Sequence, residues 1–204
     1  MNPNTASEQG KDWRYRLRNS RLGTVGVLVG TIVLVMVGTY LIDRPSASDS
    51  GVVPITLSGP SSGAPPKIGT AAQDFTATTV DGEVISLSSY KGSPVWLTFG
   101  ATWCAACQAE APDIEAAYQK NKAAGVVVLM VFISEDSPIV RDYSERVGIT
   151  FVKVADPDTR IASAYRVLGI PVHFFIDRTG VLRSVVIGSM APEKMESELA
   201  KISK

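Results

Sequence analysis

Cys104 and Cys107 are the only two cysteines of the 204-residue chain, and they stand together in Trp103-Cys104-Ala105-Ala106-Cys107. The run follows an apolar stretch, Val95–Gly100, and opens Ala105–Lys122, whose Ala, Glu, Gln and Lys favour a helix with Pro112 as a kink. Two intervening residues on a first helical turn bring the sulfurs within disulfide reach. The loop is tight, so the bond can open and close without refolding the domain. Cys104 falls at the helix N-terminus, where unpaired amide N–H groups and the helix dipole favour an anion. That makes Cys104 the attacking thiolate. Cys107, one turn in and more buried, is suited to resolve the mixed disulfide. A structural disulfide, half a metal site and two inert thiols are the rival readings. A structural bridge gains little from closing so small a loop, and the strand–CxxC–helix arrangement favours redox chemistry.

Other chemistry-bearing residues gather around this pair. Glu110 lies three residues after Cys107 on the same helical face and is placed to exchange protons with it; a solvated helix glutamate is the ordinary alternative. Pro171, after Gly169-Ile170, opens an apolar strand and is a candidate cis proline, or a trans one that merely starts the strand. His173 is the chain's one histidine. It reads first as a packed or solvated strand residue, and otherwise as a group that tunes Cys104 or ligates a metal. Trp103 reads as a cover over the cysteine site.

These residues need a scaffold, and the chain is long enough for one ordinary domain plus extras. Hydrophobic content of 45% with 20% charged residues is globular. Two cysteines exclude a disulfide-rich scaffold and a four-thiolate zinc site, and one histidine excludes a multi-histidine centre. Zero net charge argues against nucleic acid as a partner. Charge is nevertheless uneven. Residues 1–21 carry Lys11, Arg14, Arg16, Arg18 and Arg21 against Glu8 and Asp12.

Leu22 to Ile42 is uncharged and as a helix would span roughly 31 Å, about one hydrocarbon core. Trp13 and Tyr15 flank one end and Tyr40 the other. The positive-inside rule puts residues 1–21 in the cytoplasm and everything after Asp43 outside, on a single-pass membrane anchor. A cleaved signal peptide is the rival, with Ser46-Ala47-Ser48 as a cleavage site, but its apolar region should be shorter. Gly26 and Gly30 are spaced as GxxxG, a weak helix-pairing signal. Residues 43–67 are rich in Ser, Pro and Gly and read as a tether. Residues 68–204 form the working domain.

Within it, Phe75–Val80 and Glu83–Leu87 flank Asp81-Gly82 as a hairpin. Val95–Gly100 and Val126–Ile133 are buried strands. Pro138–Val147 is a helix ended by Gly148, Phe151–Val154 a strand, and Asp158–Tyr165 a helix. Val172–Asp177 and Leu182–Ile187 form a hairpin, and Pro192–Ile202 a C-terminal helix. This order implies an α/β fold with a mixed sheet covered by helices on both faces.

The pattern resembles the membrane-anchored TlpA/ResA-like thioredoxins. Phe75, Asp81-Gly82, Ile85-Ser86-Leu87, Tyr90-Lys91-Gly92, Val95–Gly100, the Trp-Cys-Ala-Ala-Cys run, Glu110-Ala111-Pro112, Gly169-Ile170-Pro171, Phe174-Phe175-Ile176-Asp177, Gly180 and Gly188 carry the resemblance. Ser134–Tyr165 is similar to that group's central insertion. The resemblance implies a thioredoxin fold with an N-terminal β-hairpin, a cis Pro171 beside the disulfide, and Ile170 pairing its backbone with a client. Cys104 is then the nucleophile, Cys107 the resolver and Glu110 a local acid/base, with Trp103, Ile170 and Pro171 at the client. It implies no cofactor beyond the Cys104–Cys107 disulfide, and reduction of extracytoplasmic protein disulfides, such as those of apocytochrome c or copper-delivery proteins. Electrons would come from a membrane thiol donor. Two departures stand out. Ala106 replaces the family's usual Pro before the second cysteine. Phe75–Val80 also lacks the acid some members carry there, which leaves Glu110, or water, for the proton work.

Two rivals follow from the same residues. A disulfide-donating oxidase runs the steps backwards. A copper chaperone would use Cys104, Cys107 and His173 as a soft site, although copper-binding relatives usually space their cysteines by three. A peroxidase would carry Thr-x-x-Cys, and Thr102 is only two residues from Cys104.

Overall fold

A computed structural model of the chain describes residues 21–42, 56–57 and 65–204. The chain divides into two compact units, Met1–Val52 and Val53–Lys204. The basic residues 1–20 and most of the 43–67 segment lie outside the described residues.

In the first unit, helix α1 runs Arg21–Ile42. Side chains are described for residues 25–40, and the large apolar ones are exposed on every side of the helix, from Val25 to Met36. Over the described residues no helix is long and apolar enough to cross a membrane.

The second unit holds two sheets. Strands β1 (Thr56–Leu57), β2 (Phe75–Thr78) and β3 (Val84–Ser86) form an antiparallel sheet. Thr56 pairs with Thr76 and Leu57 with Phe75, so part of the segment read as tether is paired strand. Gly82, at φ 89°, makes the β2–β3 turn with its N–H on the Thr79 carbonyl. The main sheet holds β4 (Val95–Gly100), β5 (Val127–Ile133), β6 (Val152–Asp156), β7 (Val172–Ile176) and β8 (Leu182–Ile187). Its order is β6-β5-β4-β7-β8. The β4–β5 and β5–β6 pairs are parallel, and β4–β7 and β7–β8 antiparallel.

All six residues of β4 are buried, which explains its unbroken apolar sequence. Successive side chains point to opposite faces. Trp96 joins Ala111, Ile114, Phe175, Met195 and Leu199 on one face. That face lies under α2 (Ala105–Asn121), α3 (Ser137–Val147) and α5 (Pro192–Ile202). Leu97 and Phe99 join Phe75, Tyr165 and Phe174 on the other. At about 25 cal/mol per Å² of apolar area, side chains of this size each contribute roughly 1.5–3 kcal/mol on burial.

The helix expected over Asp158–Tyr165 is shorter, α4 (Arg160–Ala164). Thr159 sits at φ 54°, outside helical space, and the Asp156 carboxylate caps the turn by accepting from the N–H groups of Arg160, Ile161 and Ala162. Strand β6 correspondingly extends to Asp156, beyond the Val154 expected from the apolar run.

Candidate active site

Parallel β4 and β5 both end at one edge of the fold, and α2 begins there. Cys104 is the N-cap of α2, and its Sγ accepts the Cys107 N–H at 3.2 Å. A sulfur thus occupies the place usually held by a capping hydroxyl, where the helix terminus stabilises negative charge. Cys104 and Cys107 are joined by a disulfide. Both are buried, Cys107 the more deeply, in a small apolar cluster with Ala101, against which Ile133 and Ile170 pack. Of the two sulfurs, Cys104 is the less deeply buried.

The Ile170–Pro171 bond is cis, as the resemblance implies. The Pro171 carbonyl accepts the Gly188 N–H at 2.8 Å, which ties this loop to the end of β8. Trp103 is 64% exposed. It stands open to solvent rather than buried over the cysteines, in the turn that the Cys104 N–H closes on the Ala101 carbonyl. Leu168, fully exposed at 100%, was not singled out in the sequence.

Glu110 is buried, only 3% exposed, and so is not the solvated helix carboxylate that was its ordinary alternative. Its Oε1 accepts the Met190 N–H at 2.8 Å, and its Oε2 lies 3.4 Å from His173 Nε2. His173 is fully buried in β7. Its Nδ1 lies 3.2 Å from Trp96 Nε1 and 2.9 Å from Thr98 Oγ1. The imidazole nitrogens are thus turned to Trp96, Thr98 and Glu110, which argues against a Cys104–Cys107–His173 copper site. Among the described residues no His, Cys, Asp and Glu cluster could hold a metal ion.

A second buried carboxylate also meets the motif. Glu135, just past β5, accepts the Thr102 N–H at 2.8 Å on Oε2 and the Thr102 hydroxyl on Oε1. Ser134, at φ 57° with its N–H on the Asp156 carbonyl, turns the chain at this point. Gln108 donates from its side chain to the Thr102 carbonyl. Thr102 is thereby held from both sides, two residues before Cys104. Glu110 is not the sole carboxylate near the cysteines. The signal available in the sequence was positional: Glu135 follows the C-terminal end of the strand adjacent to β4, where sites in α/β sheets collect.

Known proteins share this architecture. Residues 68–185 match the AhpC/TSA family. The thiol-disulfide oxidoreductase ResA of Geobacillus kaustophilus is 36% identical over 135 residues, 66% of this chain and 78% of that protein. ResA of Bacillus subtilis is 34% identical over 122 residues, 60% of this chain and 68% of that protein. A thioredoxin-family thiol:disulfide interchange protein from Chlorobium tepidum superposes with a TM-score of 0.61 at 26% identity, covering 70% of this chain and 99% of that one. With a Cys104–Cys107 disulfide at the head of α2 and relatives of this kind, the chain belongs to the AhpC/TSA family and is a thioredoxin-fold protein-disulfide oxidoreductase.

Proposed function

We propose that the protein is a membrane-tethered reductant of disulfides in extracytoplasmic client proteins. The observation that carries the reading is the asymmetry of the two sulfurs: Cys104 Sγ caps α2 and accepts the Cys107 N–H, while Cys107 is buried beneath it. In the reduced protein, the Cys104 thiolate attacks one client sulfur. The new bond is Cys104–S–S–client, and the other client sulfur leaves as a thiolate and takes up a proton. Cys107 then loses its proton and attacks Cys104 Sγ. The intramolecular disulfide forms, the second client thiolate departs, and two electrons have passed to the client. A membrane dithiol donor returns them.

Charge near the cysteines supports this direction. The helix terminus favours the Cys104 thiolate and so, by itself, the reduced form. Glu110, one turn from Cys107, and Glu135, on Thr102, bring two carboxyl groups to the cysteine loop, and a carboxylate beside a thiol disfavours its thiolate. A less stabilised dithiol is a better electron donor. Exposed Trp103 and Leu168 supply apolar contact for a client strand at Ile170-Pro171, the role the resemblance gives that loop. Apocytochrome c and copper-delivery proteins, whose cysteines must be reduced before haem or copper is loaded, are clients of the right chemistry.

The anchor rests on α1. The uncharged run from Leu22 to Ile42, the exposed apolar side chains from Val25 to Val37 and the five basic residues in 1–21 support an anchor with the N-terminus in the cytoplasm and the C-terminal domain outside.

The test is the equilibrium reduction potential of the Cys104–Cys107 pair in the full-length protein. A value near or below about −250 mV, close to that of thioredoxin, supports a reductant; a value near about −120 mV makes it a disulfide donor instead. Membrane fractionation with protease digestion from the outer side tests the anchor: residues 68–204 should be cleaved away while residues 1–42 remain with the bilayer.

A further inference from the structure

Two buried polar atoms at the heart of this domain have no hydrogen-bond partner: Glu110 Oε2 and His173 Nε2. They face one another at 3.4 Å, with the His173 side chain fully buried and that of Glu110 2% exposed. An orphaned buried donor or acceptor costs roughly 1–3 kcal/mol, so two orphans facing each other call for a reason.

The tautomer of His173 can be read from its neighbours. The indole Nε1–H of Trp96 only donates, and it is aimed at His173 Nδ1 at 3.2 Å. Nδ1 must therefore be the bare, accepting nitrogen. The Thr98 hydroxyl, 2.9 Å from the same Nδ1, can donate to it as well. The ring proton of the neutral imidazole then resides on Nε2, the nitrogen 3.4 Å from Glu110 Oε2, within reach of a hydrogen bond once the carboxylate turns to meet it. Glu110 Oε1 is already held by the Met190 N–H.

The position of this pair relative to the cysteines follows from β4. Trp96, Thr98 and Gly100 share one face of the strand. A Cβ on Gly100 would lie 3.3 Å from Cys107 Sγ, so Cys107 sits over Gly100. Two residues back along the strand, Thr98 meets His173, which meets Glu110, one helical turn after Cys107. Two strand residues advance about 6.6 Å and one helical turn about 5.4 Å. The two elements therefore stay in step, and the Glu110–His173 pair lies in the layer next to the buried sulfur.

We propose that His173 is a positioning residue for the redox reaction, which donates its Nε2–H to Glu110 Oε2 and, fixed from behind by the Trp96 indole, orients that carboxylate to receive the proton Cys107 gives up when it resolves the mixed disulfide. The inference rests on the dithiol reading of the site and adds to it a chain of contacts, Trp96 to His173 to Glu110, that local sequence spacing does not connect. Nothing is oxidised or reduced at His173. One proton passes from the Cys107 thiol to Glu110 and then to solvent, and the electrons move only between sulfurs.

Two measurements on the full-length protein test it. Because His173 is the chain's one histidine, nitrogen-15 correlation spectroscopy of the imidazole is unambiguous. At about pH 8, above the ordinary titration range of the ring, the proton is expected on Nε2, and a proton on Nδ1 overturns the proposal. The second is stopped-flow reduction of a disulfide-bonded peptide by wild-type, His173→Leu and His173→Gln proteins. Attack by Cys104 should stay within about 2-fold in all three. Resolution by Cys107 should slow by roughly 10- to 100-fold in His173→Leu, within the range that general acid–base groups supply. It should recover most of that loss in His173→Gln, whose amide N–H can reach Glu110. Resolution at the wild-type rate in the leucine variant, or equal loss in both variants, overturns the positioning role. Should neither variant fold, the tautomer in the unmodified protein still decides. Failure of the wild-type protein to form any mixed disulfide would instead remove the dithiol reading itself.

Discussion

Gly100 and Cys107 are in contact through the space a side chain would fill: a Cβ on Gly100 would lie 3.3 Å from Cys107 Sγ and 2.5 Å from Met130 Cε. The strand can pass this close beneath the buried sulfur only because residue 100 has no side chain. The Met130 methyl is the end of a flexible chain and can swing aside. The sulfur, bonded to Cys104, cannot. Gly100→Ala should therefore destabilise the oxidised protein by about 1–3 kcal/mol, the usual cost of overpacking a core. Thermal denaturation checks it, and an unchanged Tm would show that the sulfur layer has more freedom than the structure indicates.

The unequal placement of the two sulfurs predicts unequal mutants. Cys104→Ser should abolish turnover of a disulfide-bonded peptide, since the sulfur that caps the helix is gone. Cys107→Ser should still attack and then stall, and mass spectrometry should find a covalent mixed disulfide on Cys104. A trapped adduct on Cys107 in the Cys104→Ser protein would reverse the assignment.

Glu135 holds Thr102 through both its N–H and its hydroxyl. Hydrogen bonds to a charged group contribute about 1.5–3 kcal/mol. Glu135→Gln keeps the shape but loses the charge and one acceptor, so a loss of about 1–2 kcal/mol in urea denaturation is expected. Amide exchange at Thr102 should accelerate more than exchange in the centre of β5. Uniform acceleration across the domain would mean that Glu135 supports the fold generally rather than the cysteine loop.

Acid stability has named sources. Burial alone would raise the carboxyls of Asp177 and Glu198. Hydrogen bonds from Thr179, Val181 and Arg183 instead hold Asp177 at about 2, and those from Lys194, Lys201 and Ser184 hold Glu198 at about 2. A carboxyl depressed in the folded state binds fewer protons folded than unfolded. Its contribution is thus present above the ordinary carboxylate range and is lost as pH falls from about 4 towards 2. Glu198→Gln should flatten that part of the stability–pH curve. Asp156 acts the other way: burial raises it despite three amide donors. Its contribution declines as pH rises through its raised range, and Asp156→Asn should remove that opposing slope. Denaturant midpoints measured across pH separate the two.

Much of the domain was legible because its local signals agree with one another. The buried strands appear as apolar runs, Gly148 at φ 77° closes α3 where the pattern stops, and Pro192 opens α5. The misreadings fall where a distant group intervenes. Asp156 shortens the helix at Arg160–Ala164 by capping its first amides. Thr56–Leu57 is strand because Phe75 and Thr76 offer it an edge, not because of its own composition. Trp103 is open to solvent in the turn between β4 and α2, which no residue type announces.

The sequence alone determined the redox pair, because two residues between cysteines at a helix start is a local geometry. It likewise determined the strand and helix order, because period and punctuation are local. Tertiary structure decided which carboxylates meet the cysteine loop and what the lone histidine faces. Glu135 is 33 residues from Thr102, and His173 is 75 from Thr98 and 77 from Trp96. Those contacts exist only once β4 lies between β5 and β7 in the sheet. Burial then sets side chains of ordinary type against neighbours that no spacing along the chain can name.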